Sequence, residues 1–237
     1  MNKPNLAVLD GDIIAYKASA WADIEGIDEL ENRLKEDVNR WTPDGCDFLL
    51  AFSCTRADNF RRDVWSSYKM NREGAVQPDS LEYAKELLEE NYRCRWVPKL
   101  EADDLMGIAA SSGKAIAVTI DKDLKGVPGW HLNPDKDTEV RFVSEEGANQ
   151  FFAQQIISGD STDGIPGLPG KGIKFFEKEI LVFDSEDWFQ EIWWTYEEDG
   201  HSLEYFLSQA RCVRILRDGE YDKNTKAINY WTPEFAL

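Results

Sequence analysis

The sequence predicts an α/β fold with a central, mainly parallel sheet between helices, followed by a helical C-terminal region. Short apolar strand patterns alternate with helical patterns through the first part of the chain, and this alternation is typical of parallel sheets with helices on both faces. From Ser144 onward the apolar spacing is mainly helical. We therefore predict an α/β core over residues 1–145 and a helical region over residues 146–237, joined as one compact unit.

The first predicted strand, residues 5–10, reads Asn-Leu-Ala-Val-Leu-Asp and ends in an acid, and the apolar residues of 13–21 then follow helical spacing. Pro78 and Asp79 favour the start of a later helix, and Gly113 and Asp121 bound an apolar run of strand length. The remaining predicted elements are helices over 27–41, 79–90 and 102–111, and strands over 48–52, 93–97 and 115–120. A helix is also predicted over 175–181, after a stretch rich in glycine and proline.

The composition narrows the class of protein. With 237 residues, 42% hydrophobic residues and nine tryptophans, the chain can bury a large core. No apolar run approaches the roughly 20 residues that cross a bilayer, and the N-terminus lacks the pattern of a signal peptide, so we expect a cytoplasmic protein without membrane contact. The four cysteines are widely spaced and form no Cys-x-x-Cys, which argues against zinc and disulfides.

Acidic residues recur where predicted strands turn into helices. The net charge of −18 argues at first against a nucleic-acid partner, so the positions of the acids matter more than their number. In an open parallel sheet, ligands bind beyond the carboxyl ends of the strands. Four acidic groups are candidates for such an edge: Asp10; Glu101, Asp103 and Asp104; Asp121 and Asp123; Asp160 and Asp163.

Each acidic group could simply cap a helix N-terminus. Capping does not require eight carboxylates at one edge, however, and such a crowd would repel itself unless cations neutralised it. All-oxygen sites suit Mg²⁺ or Mn²⁺, and a pair of these ions can hold the attacking and leaving oxygens of a phosphoryl displacement. His131 and His201 are the only histidines and lie in no metal or triad pattern, so we predict chemistry that depends on two divalent cations.

Two further segments concentrate positive charge in this acidic chain. The first contains Arg61 and Arg62 in Asn-Phe-Arg-Arg and continues with Tyr-Lys-Met-Asn-Arg at 68–72. Its cations could bind a scissile phosphate, and Tyr68 could stack on an unpaired base. The alternative is a surface helix with internal ion pairs. Arg211, Arg214 and Arg217 have the spacing of one helical face, which could meet phosphates or neighbouring acids.

The second segment is Gly-Leu-Pro-Gly-Lys-Gly-Ile-Lys at 167–174. Glycines ahead of a helix let backbone N–H groups approach a phosphate, and lysines strengthen that contact. A tight turn is the alternative explanation. The candidate DNA-binding residues here are Gly167, Gly170, Lys171, Gly172 and Lys174.

Taken in order, these motifs resemble those of the 5′ nuclease superfamily of flap endonucleases and polymerase-associated 5′ exonucleases, most closely the 5′→3′ exonucleases of short-tailed phages. The matching segments are Leu-Asp-Gly-Asp at 9–12, Asn-Phe-Arg-Arg at 59–62, Tyr-Lys-Met-Asn-Arg at 68–72, Glu-Ala-Asp-Asp-Leu-Met-Gly at 101–107, Asp-Lys-Asp-Leu-Lys at 121–125, Gly-Asp-Ser-Thr-Asp-Gly at 159–164 and a C-terminal stretch at 209–217. The likeness spans nearly the whole chain.

The resemblance implies a nuclease core of the PIN type, with a helix-turn-helix variant that grips duplex DNA and often binds K⁺. It assigns the eight acids above to the metal site, Lys69 and Arg72 to activation of the phosphate, and Tyr68 to the unpaired nucleotide. The family usually has an Asp shortly after the strand at 48–52, where this chain has Ser53-Cys54-Thr55; Asp58 is the candidate for that role. The segment that forms an arch in relatives, between Arg72 and Glu101, is short and acidic here.

We therefore expect a metal-dependent 5′→3′ exonuclease that acts on DNA with a 5′ end or junction, in phage replication or recombination, within the host cytoplasm if a phage encodes it. RNA in RNA–DNA hybrids is a further expected substrate. The alternatives are a structure-specific 5′ flap endonuclease, a phosphatase of the haloacid-dehalogenase type with Asp10 as nucleophile, and a DNA-binding module without catalysis.

Overall fold

The structure is a computed structural model that describes residues 2–236. Its centre is a six-stranded sheet in the order β3-β2-β1-β4-β5-β6. The strands are β1 (Leu6–Asp10), β2 (Asp47–Ala51), β3 (Cys94–Arg95), β4 (Ile116–Val118), β5 (Gly129–Leu132) and β6 (Arg141–Val143). The first five run parallel and β6 runs antiparallel to β5, which confirms the mainly parallel sheet. The strands β5 and β6 were not predicted from the sequence, because both are short and neither has a continuous apolar run.

The strand order reverses beside β1: β2 and β3 lie on one side of it, and β4 lies on the other. Such a switch point leaves a crevice at the carboxyl ends of the two central strands, where ligands bind in open α/β sheets. In this chain the crevice lies between the ends of β1 and β4, at Asp10 and Thr119.

Nine α-helices accompany the sheet within residues 2–236. They are α1 (Gly11–Glu25), α2 (Leu30–Trp41), α3 (Arg61–Val64), α4 (Leu81–Asn91), α5 (Ala102–Ser111), α6 (Glu145–Ser158), α7 (Ile173–Phe175, continued by a π-helical turn over Phe176–Ile180), α8 (Trp188–Glu198) and α9 (Leu203–Val213). The periodicity predicted α1, α2, α4 and α5 close to these bounds. Among them, no helix is both long and apolar enough to span a bilayer.

Alternating residues of β1 supply both faces of the sheet, because successive side chains of a strand point in opposite directions. Ala7 and Leu9 pack into the cluster under α1, α2 and α4, whereas Val8 packs into the cluster that includes Met106 of α5. The rigid layers on both faces fix where β1 ends and therefore where Asp10 is held.

The segment between Arg72 and Glu101 is integrated into the core. Within it, α4 packs against α1, and β3 extends the edge of the sheet. Residues 73–77 are all exposed and form the part of this segment that stands clear of the core. The arch implied by the resemblance is therefore reduced here to a short loop ahead of α4.

The C-terminal helices α6 to α9 build a second apolar cluster that is rich in aromatic rings, including Phe152, Tyr196 and Phe206. Trp65 and Tyr68, from the segment after α3, pack into the same cluster. After α9 the chain returns to the core, where Ile215 joins the cluster around α5. The helical region and the sheet are thus connected by two separate stretches of chain.

The predicted helical face of Arg211, Arg214 and Arg217 is wrong, because α9 ends at Val213 and Arg214 is already extended. Arg214 pairs with Glu220 at 2.6 Å, and Arg217 pairs with Glu145 at 3.0 Å. Of the two interpretations that the sequence left open, the structure shows the one in which neighbouring acids hold the last two arginines.

Candidate functional site

Asp10 lies at the switch point and is almost fully buried. Its Oδ1 caps α1 by accepting the Ile13 N–H at 3.1 Å, and its Oδ2 accepts the Thr119 hydroxyl at 2.8 Å. Burial, followed by the negative charge of Asp12, raises the pKa of Asp10 to about 7. The carboxylate is thus held in place with its charge poorly compensated.

Asp12 belongs to the same site, although the sequence analysis did not assign it. Its Oδ2 accepts the Ser53 N–H at 2.8 Å, and its Oδ1 lies 3.2 Å from Lys85 Nζ. The motif Leu-Asp-Gly-Asp contained the signal, because Asp12 lies in the first turn of α1, immediately after the strand end. Gly11 between them has no room for a side chain, since a Cβ there would lie 2.7 Å from the Phe52 ring.

Glu101 lies at the N-terminus of α5 and joins the acidic site to the basic segment. It accepts the Tyr68 hydroxyl at 2.7 Å, the Arg61 guanidinium at 3.2 Å and the Lys69 ammonium group. Burial alone would raise the pKa of Glu101, but Lys69 and Arg61 outweigh it and lower this pKa to about 2. Glu101 is therefore an ionised, cation-bound carboxylate.

Asp103 and Asp104 are neighbours in sequence with opposite surroundings. Asp103 lines the site, and burial together with the charges of Asp10 and Asp121 raises its pKa well above the ordinary value. Asp104 is fully buried, where both its oxygens accept Arg61 at 2.8 Å and one of them also accepts the Leu216 N–H. The prediction of Asp104 as a metal ligand is wrong, because its oxygens are already occupied inside the core.

Asp121 and Asp123 follow β4. The Thr119 hydroxyl accepts the Asp121 N–H, and Asp121 Oδ1 accepts the Asp123 N–H at 2.9 Å. Asp123 Oδ1 accepts the amide of Gln155 on α6 at 2.9 Å, a contact that the sequence analysis missed because no spacing links the two residues. Burial and the charge of Asp121 raise the pKa of Asp123 to about 7.

Asp160 and Asp163 approach from the loop after α6. Asp160 closes a turn by accepting the Thr162 N–H at 2.8 Å. Asp163 accepts the Tyr68 hydroxyl at 3.1 Å and pairs with Arg72. Burial raises the pKa of Asp163, even though Lys69 and Arg72 partly offset that effect.

These carboxylates surround one opening of about 280 Å³, which we call the acid cleft. Its carboxylates are Asp10, Asp12, Glu101, Asp103, Asp121, Asp123, Asp160 and Asp163, and its cations are Lys69, Arg72 and Lys122. Seven of the nine predicted metal-site acids therefore meet in the cleft. Within residues 2–236, no three His, Cys, Asp or Glu side chains lie close enough together to hold a metal ion in their present positions. Two of the cleft carboxylates are instead paired with cations, Glu101 with Lys69 and Asp163 with Arg72.

Asp58 is not part of the acid cleft. It ends a 3₁₀ turn, accepts the Lys99 N–H at 3.1 Å and faces a separate groove beside Cys54 and Trp96. Its prediction as a metal ligand is wrong for this structure, because the loop after β2 carries the side chain to a neighbouring opening.

Lys69 and Arg72 lie at the edge of the acid cleft, as the sequence predicted. Lys69 adopts a left-handed backbone conformation with φ of 55°, stabilised by a 2.8 Å hydrogen bond from its N–H to the Asp163 carbonyl. A non-glycine residue held in that region is uncommon and marks positions where surrounding structure imposes the conformation. Arg72 donates from Nε to the Thr162 carbonyl at 3.1 Å.

Arg61 and Tyr68 do not have the exposed positions that DNA contact requires. Both are buried: Arg61 neutralises Asp104, and the Tyr68 ring packs in the aromatic cluster with its hydroxyl on Glu101. The predictions of DNA binding by Arg61 and of base stacking by Tyr68 are wrong here, because neither side chain offers a free face. Arg62 is partly exposed and pairs with Glu73 at 3.1 Å.

The glycine-rich loop joins α6 to α7. Gly167 is buried against Gly159, where a Cβ would lie 2.3 Å from the Gly159 nitrogen, so this glycine serves close backbone packing rather than phosphate contact. Gly170 and Gly172 have open space around them. Lys171 pairs with Asp199, and Lys174 is exposed.

Known proteins similar to this chain include phage exonucleases. No protein-family model matches the chain. The exodeoxyribonuclease of Enterobacteria phage T3 and the exonuclease of Escherichia phage T7 are each 27% identical to it, over 96% of this chain and 93% of theirs. The T5 5′-exonuclease, solved with divalent zinc ions bound, superposes with a TM-score of 0.62 at 17% identity, over 88% of this chain and 89% of that one, and shows the same fold.

Proposed function

We propose that this chain, which belongs to the 5′ nuclease family related to the phage exonucleases, is a metal-dependent 5′→3′ exonuclease that hydrolyses the phosphodiester backbone of DNA and releases products with a 5′-phosphate. One observation carries the proposal: carboxylates from four separate stretches of chain meet at the switch point of the sheet, beside three cations. The relatives with matching length are named as exonucleases, one of them as an exodeoxyribonuclease.

The cleft residues fit a pair of divalent cations. All the donors are carboxylate oxygens. Burial, together with the charges of neighbouring carboxylates, raises the pKa values of Asp10, Asp103 and Asp123, and a cation bound between them would offset both effects. Mg²⁺ or Mn²⁺ would be held by these three residues together with Asp121, Asp160 and Asp163, and when bound would polarise the scissile phosphate and stabilise both reacting oxygens. The T5 relative binds divalent zinc ions, which supports a divalent cation in this chain as well.

Lys69 and Arg72 would bind the scissile phosphate. Each already pairs with a carboxylate of the cleft, Lys69 with Glu101 and Arg72 with Asp163. A phosphate that enters the cleft offers these cations new oxygens, and their positive charge then stabilises the charge that develops on the phosphate. Tyr68 and Arg61 act behind them as positioning residues, because they hold Glu101 from within the core.

The loop of residues 164–172 would contact the duplex through the backbone of the exposed Gly170 and the half-buried Gly172, with Lys171 and Lys174 beside it. The same proposal includes K⁺ binding at this loop and a helix-turn-helix role for α6 and α7. It also includes RNA–DNA hybrids as further substrates and action in the cytoplasm of a phage host. A duplex-binding assay with KCl or NaCl, using Gly170→Val against wild type, tests the loop: equal binding of all four combinations would contradict it.

Phosphatase chemistry of the haloacid-dehalogenase type is not favoured. That chemistry would require Asp10 as a covalent nucleophile, whereas the relatives of matching length are named as exonucleases. A DNA-binding module without catalysis is likewise not favoured, since the matching relatives are named exonucleases.

The experiment is digestion of 5′-labelled duplex DNA by purified protein in Mg²⁺ or Mn²⁺, with chelator as the blank. Asp103→Asn should lower the rate roughly 100-fold or more, because metal sites contribute several kcal/mol to charge stabilisation. Asp28→Asn is the matched control, since Asp28 is exposed and outside the cleft. Digestion by Asp103→Asn at the rate of this control would contradict the assignment.

A second assay separates end resection from junction cleavage. Blunt, nicked, gapped and 5′-flap substrates, and a hybrid with an RNA 5′ segment, are digested side by side and sized on one gel. An exonuclease releases short products from the labelled 5′ end of the blunt duplex, whereas a flap endonuclease releases the intact flap. The short loop over residues 73–77 favours the first result.

A further inference from the structure

A second, basic cavity lies next to the acid cleft and is not used by the function above. It has a volume of about 190 Å³ and opens beyond the ends of β4 and β5. Its charged lining consists of Lys122, Lys125, Lys136 and Arg141, with the carboxylates Asp121 and Asp137. In a chain of net charge −18, an opening with more cations than acids in its wall is unusual.

The local structure aims two of the lysines at this opening. Residues Asp123–Gly126 form a 3₁₀ turn that begins after Lys122. Because such a turn has three residues per turn, side chains three positions apart share a face. Lys122 and Lys125 therefore point to the same side, while Leu124 is buried beneath them.

The third lysine comes from the turn after β5. The Lys136 N–H bonds to the Asn133 carbonyl, and Asp137 accepts the Asn133 N–H at 2.8 Å, which holds this turn closed. The same Asp137 pairs with Arg141 at 2.9 Å, so its charge is compensated. Asp121 is likewise engaged, as the acceptor of the Asp123 N–H.

The lysines themselves have no such compensation. Among residues 2–236, no carboxylate lies within 4 Å of the ammonium groups of Lys122, Lys125 or Lys136, whereas Lys69 and Arg72 in the acid cleft are both paired. Three ammonium groups that line one opening without a carboxylate partner are available to the oxygens of an anion that enters it. The chemistry of this cavity is therefore that of a phosphate or similar oxyanion site.

The two openings are continuous, since Asp121 and Lys122 line both. We propose that the basic cavity binds a backbone or terminal phosphate of the DNA strand whose neighbouring phosphodiester lies in the acid cleft. This inference rests on the proposed nuclease function and adds a subsite to it. Such a subsite would let an acidic protein bind DNA, because the lysines attract the phosphates beside a cleft whose own charge is negative.

The test compares two double variants with the same change in net charge. Lys125→Gln with Lys136→Gln removes the two lysines that lie outside the acid cleft; Lys35→Gln with Lys223→Gln removes exposed lysines on other elements. Affinity for a fluorescent duplex is measured by anisotropy at several KCl concentrations, in Ca²⁺ and within a time that leaves the DNA intact on a gel. Thermal unfolding of each variant verifies that it folds.

The cavity variant should bind DNA about tenfold more weakly than wild type, and its salt slope should be smaller by roughly 1 to 2, about one for each phosphate that the variant no longer binds. The control should stay within about twofold of wild type. Equal weakening of both double variants would overturn the cavity assignment. Failure of wild type to bind or cut DNA would instead contradict the nuclease function itself.

Two substrates distinguish the source of the phosphate. If the cavity variant loses affinity only for 5′-phosphorylated DNA and not for its 5′-hydroxyl counterpart, the cavity holds the terminal phosphate. An equal loss on both identifies an internal phosphodiester. Both results support a phosphate subsite, whereas no loss on either substrate contradicts it.

Discussion

The acid cleft and the buried Arg61–Asp104 pair are built from the same residue types in neighbouring parts of the molecule, yet they balance charge in opposite ways. In the buried pair, a guanidinium meets both oxygens of one carboxylate at 2.8 Å, and backbone N–H groups occupy the same oxygens. In the cleft, several carboxylates face one another, and Asp10 and Asp123 have pKa values raised to about 7. Removing one partner of the buried pair would leave a charge unpaired in the core, whereas the carboxylates of the cleft repel one another and a bound cation would relieve that repulsion.

This difference shows that net charge is a poor guide to function in this chain. The value of −18 counts every acid of the chain alike, whereas the proposed chemistry depends only on the few carboxylates that line the acid cleft. Removing an acid should therefore lower the free energy of unfolding in the buried pair and raise it in the metal-free acid cleft.

The largest expected effect belongs to the buried pair. Asp104→Asn leaves Arg61 charged inside the core and should lower the free energy of unfolding by about 3 to 5 kcal/mol, the usual cost of breaking a buried ion pair from one side. Chemical denaturation, monitored by tryptophan fluorescence, measures it. A loss below about 1 kcal/mol, as for a surface pair, would remove the contrast between the two regions.

The next prediction concerns how the stability of the acid cleft depends on pH. In the metal-free protein, Asp10 and Asp123 have folded pKa values of about 7, above their ordinary 3.8, so the folded state retains their protons longer than the unfolded state does. The stability that these groups contribute is complete below pH 3.8 and is lost as pH rises through about 7.

Protons and divalent cations compete for these carboxylates. Mg²⁺ at about 100 times its dissociation constant should add about 2.7 kcal/mol of stability at about pH 8, and clearly less at about pH 5.5. Thermal unfolding with and without Mg²⁺ at the two pH values measures the difference. An identical shift at both values would contradict cation binding at the groups with raised pKa, and Asp103→Asn should reduce the shift at the higher pH.

The smallest effect has the opposite sign from the first. In chelator at about pH 8, Asp103→Asn removes a carboxyl group whose ionised form is disfavoured by burial and by the charges of Asp10 and Asp121. The change should raise the free energy of unfolding by about 1 kcal/mol, the trade of stability for activity that strained sites show. Its matched partner is Asp104→Asn, the same change one residue later. Loss of stability in both variants would mean that Asp103 is also compensated within the fold.

Much of the fold was predictable because its signals are local. The apolar runs that became β1, β2 and β4 and the periodic segments that became α1, α2, α4 and α5 depend on neighbouring residues alone. The short strands β5 and β6 were missed, because their own residues carry too little signal. The pairing of β5 with β4, and of β6 with β5, is what makes them strands. The end of α9 was missed for a similar reason: Arg214 leaves the helix to meet Glu220.

The site was predicted in outline and corrected in detail. The sequence alone determined that acids end the strands of a parallel sheet, because strand periodicity and sheet topology bring those ends to one edge. It could not decide which of two adjacent acids faces the cleft, because neighbouring residues of a helix point about 100° apart and only packing fixes the rotation. In the tertiary structure Asp103 faces the acid cleft and Asp104 faces Arg61. Asp12 lies in the cleft, and Asp58 lies outside it. Contacts between residues that are distant in sequence determine each of these positions.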